Sequence, residues 1–111
     1  MAYTHFNHPG RILQEEYFDE LNITQTAASK ATGIPQSTLS EICSGKRDIT
    51  AETALRLGKF LDTDPRMFIN LQAHYDLEEA KAAFAARRPR IQIKPWPATY
   101  QATLRSAPAN T

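Results

Sequence analysis

The residues whose types and spacing could do chemistry concentrate in the run TQTAASKATGIPQSTLSEICSGKRDIT, where Gln36, Ser37 and Ser40 share the polar side of a short helical segment. The amide of Gln36 offers a donor and an acceptor together, which suits an adenine edge in a DNA major groove, and Ser37 and Ser40 are short enough to follow it there. Free backbone amides near Gln25, at the start of the preceding segment, suit phosphate oxygens, as do the cations Lys46 and Arg47 beyond the following glycine. A plain helical hairpin inside a bundle uses the same residues, so both readings stand at this level. A second group, Arg87, Arg88, Arg90 and Lys94 beside Trp96 and Tyr100, combines cations with aromatic rings as nucleic-acid arms do. A solubilising extension, or docking onto the protein's own dimer, fits that group as well.

Other reactive residue types point to no reaction. Cys43 falls on the apolar side of its helix, the place of a small core residue. His5, His8 and His74 lack the compact spacing of metal ligands, so no metal site and no cofactor is expected. Glu78 and Glu79 are consecutive and diverge by about 100° around a helix, which makes them a wet face and not an acid/base pair. Asn22-Ile23-Thr24 matches a glycosylation sequon by letter, and helix capping by Thr24 is the better account. Phosphate-cradling glycine loops, HExxH helices and nucleophile elbows are missing, so an enzyme is the weakest reading.

The elements that must position these residues read as five helices. Pro9 suits a first turn, and RILQEEYFDEL after it repeats Ile12, Leu13, Tyr17 and Leu21 at helical spacing, with Glu15, Glu16, Asp19 and Glu20 on the wet side. The second helix starts at Thr24 and stops at Gly33, and small residues Ala28 and Ser29 allow a close crossing. The third runs from about Pro35 to Gly45 with Leu39, Ile42 and Cys43 as its apolar stripe. The fourth follows Thr50 with Ala54, Leu57, Gly58 and Leu61 inward. The fifth follows the Asp64-Pro65 pair with Phe68, Leu71 and Tyr75 inward. The expected organisation is an N-terminal arm over 1–7, a helical domain over 8–86 and a basic, proline-containing tail over 87–111, in which Ile91, Ile93 and Trp96 suit a short edge strand or docking segment.

A chain of 111 residues with one cysteine suits one core without an internal disulfide framework, and matches a reducing, cytoplasmic setting. No apolar run reaches the roughly 20 residues of a membrane span, and the start lacks a signal-peptide pattern, so no membrane partner is expected. The net charge of +1 hides polarity along the chain: acidic over 1–21 and 51–86, slightly basic over 22–50, and +5 with no acid over 87–111.

Together, HPGRILQEEY, the run TGIPQSTLSEICSGKRDITAETALRLGKFLDTDPRMFINLQAHYDLEEA, and its closing FINLQAHYDL resemble HigA-type antitoxins of the lambda-repressor-like, or XRE, superfamily over about residues 8–86. The resemblance implies an all-α, five-helix DNA-binding fold, here with an extended basic C-terminal tail. It also implies a homodimer, an inverted-repeat operator DNA, repression of its own operon and neutralisation of a HigB-like, RelE-fold ribonuclease toxin. By that likeness Gln36, Ser37, Ser40 and Glu41 contact bases, and Gln25, Thr38, Lys46 and Arg47 lie at the DNA backbone. Glu41 repels phosphate yet can accept from a cytosine amino group. The chain departs from the family pattern at Ala28 and Thr32, which replace larger apolar residues, at Met67-Phe68, which replaces a Phe-Trp pair, and at Arg11, which replaces an acid. A regulator without a toxin, and an interaction module that no longer reads DNA, are the rival functions.

Overall fold

The computed structural model describes residues 8–87 and 92–97, and its helices are α1 (9–21), α2 (Gln25–Thr32), α3 (Gln36–Cys43), α4 (Ala51–Leu61) and α5 (Pro65–Arg87). No strand forms among the described residues. Four of the five starts have a local side-chain cause, and α3, which follows Pro35, has no side-chain cap bond. Pro9 occupies the first turn of α1, where its missing N–H costs nothing, and Nδ1 of His8 accepts from the Gly10 amide at 3.0 Å. Thr24 accepts from the Ala27 amide at 3.0 Å, Thr50 from the Thr53 amide at 3.3 Å and Asp64 from the Arg66 amide at 2.9 Å. The ends of α1 and α4 pass through Asn22 and Asp62 in the left-handed region, at φ 56° and 55°. There the amides of Ile23 and Thr63 reach back to the carbonyls of Phe18 and Gly58.

The first helix corrects its expected register. Its middle, Leu13–Phe18, is a π-helical turn between the α-helical pieces Pro9–Ile12 and Asp19–Leu21. The wider π turn brings residues five apart onto one side, so Leu13 and Phe18 are both fully buried, and Leu21, expected inward, is 58 % exposed. Ile12 and Tyr17 are half-buried, and the Tyr17 hydroxyl lies 3.1 Å from Sδ of Met67.

Leu13 and Phe18 join Ala28, Ile34, Leu39, Ile42, Ile49, Ala54, Leu57 and Phe68 in one core. Complete burial of a side chain of this size stabilises by about 1.5–3 kcal/mol, so α3, whose three apolar residues all enter the core, is strongly fixed in rotation. Helix α1 crosses α3 so closely that a Cβ at Gly10 would overlap the Ile42 carbonyl. The small residues of α2 pack fully: Ala28 is buried, and the buried Thr32 hydroxyl donates to the Ala28 carbonyl at 2.7 Å and accepts from the Ile34 amide at 3.1 Å.

In α5 Phe68 is buried as expected, Leu71 and Tyr75 are half-buried, and Gln72 takes an inward place that the apolar pattern assigns to no polar residue. Ile69, Leu77 and Phe84 stay exposed along this helix. Its 23 residues span about 34 Å. Of the expected strand or docking segment, Ile91 lies outside the described residues, whereas Ile93 and Trp96 are exposed in an irregular stretch. The arm over 1–7 and most of the tail, Tyr100 included, also lie outside. No helix among the described residues is long and apolar enough to cross a membrane.

Candidate nucleic-acid interface

Helix α3 divides cleanly. Leu39, Ile42 and Cys43 anchor it in the core, and Gln36, Ser37, Ser40 and Glu41 are exposed on its other side with Thr38 half-buried at the edge. The side chains of Gln36, Ser37 and Ser40 make no hydrogen bond within the protein among the described residues, so their donors and acceptors face solvent. Such a helix, about 10–12 Å across with its side chains, fits a major groove about 12 Å wide.

Both ends of α3 are held from behind. At its start, the Ser29 hydroxyl donates to the Ile34 carbonyl, and the guanidinium of Arg56 donates to the Thr32 carbonyl at 2.7 Å while pairing with Glu52 at 3.0 Å. A cleft of about 200 Å³ opens beside this turn, lined by Gly33, Pro35, Thr38, Thr53 and Arg56 among others. At its end, the Gly45 amide donates to the Ile42 carbonyl and the Lys46 amide to the Glu41 carbonyl, at 3.0 and 2.8 Å. This closure requires φ 82° at position 45, which glycine adopts without strain. Beyond it the buried Ile49 amide donates to Oε1 of Gln72 at 2.8 Å, and Nε2 of Gln72 donates to Asp76 at 3.0 Å. Buried His8 stacks edge-on against Tyr75 at 4.9 Å and brings Nε2 to 3.5 Å from Asp48. Burial, then the nearby carboxylates of Glu79, Asp48 and Asp76, push the Tyr75 hydroxyl above its ordinary pKa.

The group expected at the DNA backbone is only partly free. Gln25, at the first turn of α2, donates from Nε2 to Oε1 of Gln14 at 3.0 Å, and Gln14 in turn donates to Asp19 at 2.7 Å. Lys46 is exposed and enters no ion pair among the described residues. Arg47, expected beside it as a second phosphate contact, is bonded to Glu41: Nε and Nη2 lie 2.7 and 2.6 Å from Oε1. Thus α3 and its loop bring Gln36, Ser37, Ser40, Glu41, Lys46 and Arg47 onto one connected stretch, while Gln25 and Thr38 border it from α2 and the helix edge.

Cys43 behaves as core: burial, with a smaller effect from Asp19, pushes its thiol up to about 11. His74 is exposed, and Glu78 pairs with Lys81 at 3.1 Å. A larger surface hollow of about 570 Å³, lined by Asp64, Arg66, Met67, Asn70 and Leu71, shares no residue with α3. Sequence reasoning missed four supporting residues, His8, Gln14, Arg56 and Gln72. Only His8 carries a local signal, because it immediately precedes a proline at a helix start.

The helix-turn-helix family pattern matches residues 15–68. Virulence-associated protein I of Dichelobacter nodosus is 40 % identical over 74 residues, covering 67 % of this chain and 68 % of its own. The HTH-type transcriptional regulator YddM of Escherichia coli K12 is 37 % identical over 86 residues, covering 76 % and 90 %. An antitoxin HigA of Pseudomonas aeruginosa, solved with the higBA promoter, superposes with a TM-score of 0.77 at 33 % identity, over 84 % of this chain and all of that one. A core-anchored α3 with an open polar face and these likenesses lead to one conclusion: the chain belongs to the HigA-type branch of the lambda-repressor-like helix-turn-helix superfamily of DNA-binding regulators.

Proposed function

We propose that the protein is a homodimeric, operator-binding repressor that also serves as the antitoxin of a HigB-like ribonuclease toxin. The observation that carries the DNA reading is the division of α3, with three apolar residues locked in the core and Gln36, Ser37 and Ser40 presented outward with unspent polar groups. In this reading those three side chains meet base edges, and Gln25, Thr38 and Lys46 meet the sugar-phosphate backbone. Glu41 and Arg47 enter the surface as a bonded pair. The exposed Leu55 on α4 and the exposed Ile69, Leu77 and Phe84 on α5 supply an apolar face for the second copy. Two copies would place their α3 helices in successive major grooves about 34 Å apart, so the operator is an inverted repeat and repression follows by occluding the promoter. The similarity to a HigA solved with its promoter supports both the operator and the antitoxin role. A second reading, a regulator without a toxin, is compatible with the likeness to YddM, whose name specifies only an HTH-type transcriptional regulator.

Fluorescence anisotropy with the DNA upstream of this gene tests the first reading. Gln36→Ala is expected to lose about 1–3 kcal/mol on that DNA and little on random DNA. Equal loss on both, or no preference for the upstream DNA by the parent protein, overturns it. Co-purification with the product of the neighbouring gene, and loss of that product's ribonuclease activity in the complex, separates antitoxin from stand-alone regulator.

A further inference from the structure

The Glu41–Arg47 pair has a geometry that neither residue's expected role explains. The loop closure at Gly45 and Lys46 folds the chain back over the last turn of α3, which is what lets residues six apart in sequence meet. Where such closures commonly carry an apolar clasp between the third-last helical residue and the loop, this chain carries a charged one. Both guanidinium contacts fall on a single oxygen, Oε1, at 2.7 and 2.6 Å, and both side chains remain about half exposed, at 48 % and 52 %. No contact among the described residues engages Oε2.

From this we infer that Arg47 is a positioning residue for Glu41 and not a phosphate anchor, so that Glu41 meets the groove as half of a neutral pair and accepts through Oε2 from a cytosine amino group. The inference rests on the DNA-binding reading given above. A lone carboxylate on a recognition helix meets repulsion from two phosphate strands and loses hydration on entering the groove, both of which a bound guanidinium offsets. Carboxylate acceptance from the cytosine N4 amino group is one of the few base contacts open to an acidic residue. Fixing Oε1 with two donors also removes rotamer freedom from Glu41 before DNA arrives, which lowers the entropy lost on binding. The loop keeps a cation for phosphate in Lys46, which forms no ion pair among the described residues. Because the charge of Arg47 is already answered by a carboxylate, it releases no counterion when the protein binds.

Salt dependence and base preference together test the pair. Operator binding is measured by anisotropy from low to moderate salt for the full chain and for Arg47→Ala, Glu41→Gln and the double variant, first on the upstream DNA and then on duplexes substituted at each operator position. Circular dichroism melts confirm that each variant folds. The expected result is that the double variant, which replaces a neutral pair by two uncharged side chains, leaves the log–log salt slope within about 0.3 of the parent, whereas Glu41→Gln alone steepens it by about 0.9 as the released guanidinium finds a phosphate. Both single variants are expected to lose the same cytosine preference, by about tenfold for one contact, with little further loss in the double variant. A slope shallower by about 0.9 in the double variant makes Arg47 a phosphate contact and overturns the inference. A cytosine preference that survives Arg47→Ala, or one that neither variant alters, also overturns it. Absence of operator binding by the parent protein instead overturns the DNA-binding reading itself.

Discussion

Replacing Gln72 with leucine removes the acceptor for one buried amide while nearly preserving volume. Oε1 of Gln72 receives the Ile49 N–H at 2.8 Å, and both residues are buried, so no water can take its place without opening the junction between α5 and the segment leaving α3. A buried donor left unpaired costs about 1–3 kcal/mol, and the lost bond to Asp76 adds about 0.5–1 kcal/mol. Added apolar burial returns about 1 kcal/mol. The expected net destabilisation is about 0.5–3 kcal/mol, a fall in Tm of roughly 2–24 °C for a domain of this size. Thermal melts followed by far-UV circular dichroism measure it, and hydrogen exchange at the Ile49 amide localises it. Gln72→Glu is the companion. It keeps the acceptor but sets a buried carboxyl against Asp76, and both burial and the like charge hold the new group's folded-state pKa above its unfolded value near 4.3. The folded state then binds that proton more tightly than the unfolded state. The variant's deficit is therefore full above the raised pKa and closes as pH falls through it. Leucine at 72 giving parental stability with unchanged Ile49 protection would refute the reasoning.

Two further perturbations probe the frame behind α3. Gly10→Ala sets a Cβ into the Ile42 carbonyl, which is backbone and cannot rotate aside, so the loss is expected at or above the usual overpacking cost of about 1–3 kcal/mol, and an unchanged melting curve would contradict that close approach. Cys43, with its thiol pushed up to about 11, carries a thiolate fraction of only about 10⁻³ at pH 8, so labelling by a disulfide reagent is expected only on unfolding; reaction of the native protein at the rate of a free thiol would place Cys43 outside the core.

The sequence is legible wherever the determinant is local. Thr24 and Thr50 mark helix starts because their hydroxyls accept from amides of the first turn, Pro9 and Pro65 because their fixed φ and missing N–H fit that turn, and the inside and outside of α3 follow from a period of 3.6 residues. The same logic misplaces Leu21, because a π turn shifts the phase of everything after it and leaves no mark in an apolar pattern read at α-helical spacing. Gln72 and Arg56 were invisible for another reason: their partners, Ile49 and Thr32, lie 23 and 24 residues away in sequence. A polar residue at an inward position reads as an error until the distant amide or carbonyl that satisfies it is known. At the interface, exposure of Gln36, Ser37, Ser40 and Glu41 was legible. The bond between Glu41 and Arg47 was not, since six residues is no helical neighbour spacing and the contact exists only through the loop closure.

These distant ties explain how an eight-residue helix can be both rigid and open. The entry to α3 is fixed through Ser29, Thr32 and Arg56, its exit through Gly45 and Gln72, and its rotation through Leu39, Ile42 and the close approach of Gly10. None of these restraints uses the outward side chains. Substitutions at Gln36, Ser37 or Ser40 thus remove no buried contact and no internal hydrogen bond, and surface changes of that kind usually move stability by less than about 0.5 kcal/mol. The scaffold separates what holds the helix from what the helix displays. The displayed side chains can therefore be altered without repacking, whereas a change at the supporting positions alters the placement of the whole face at once.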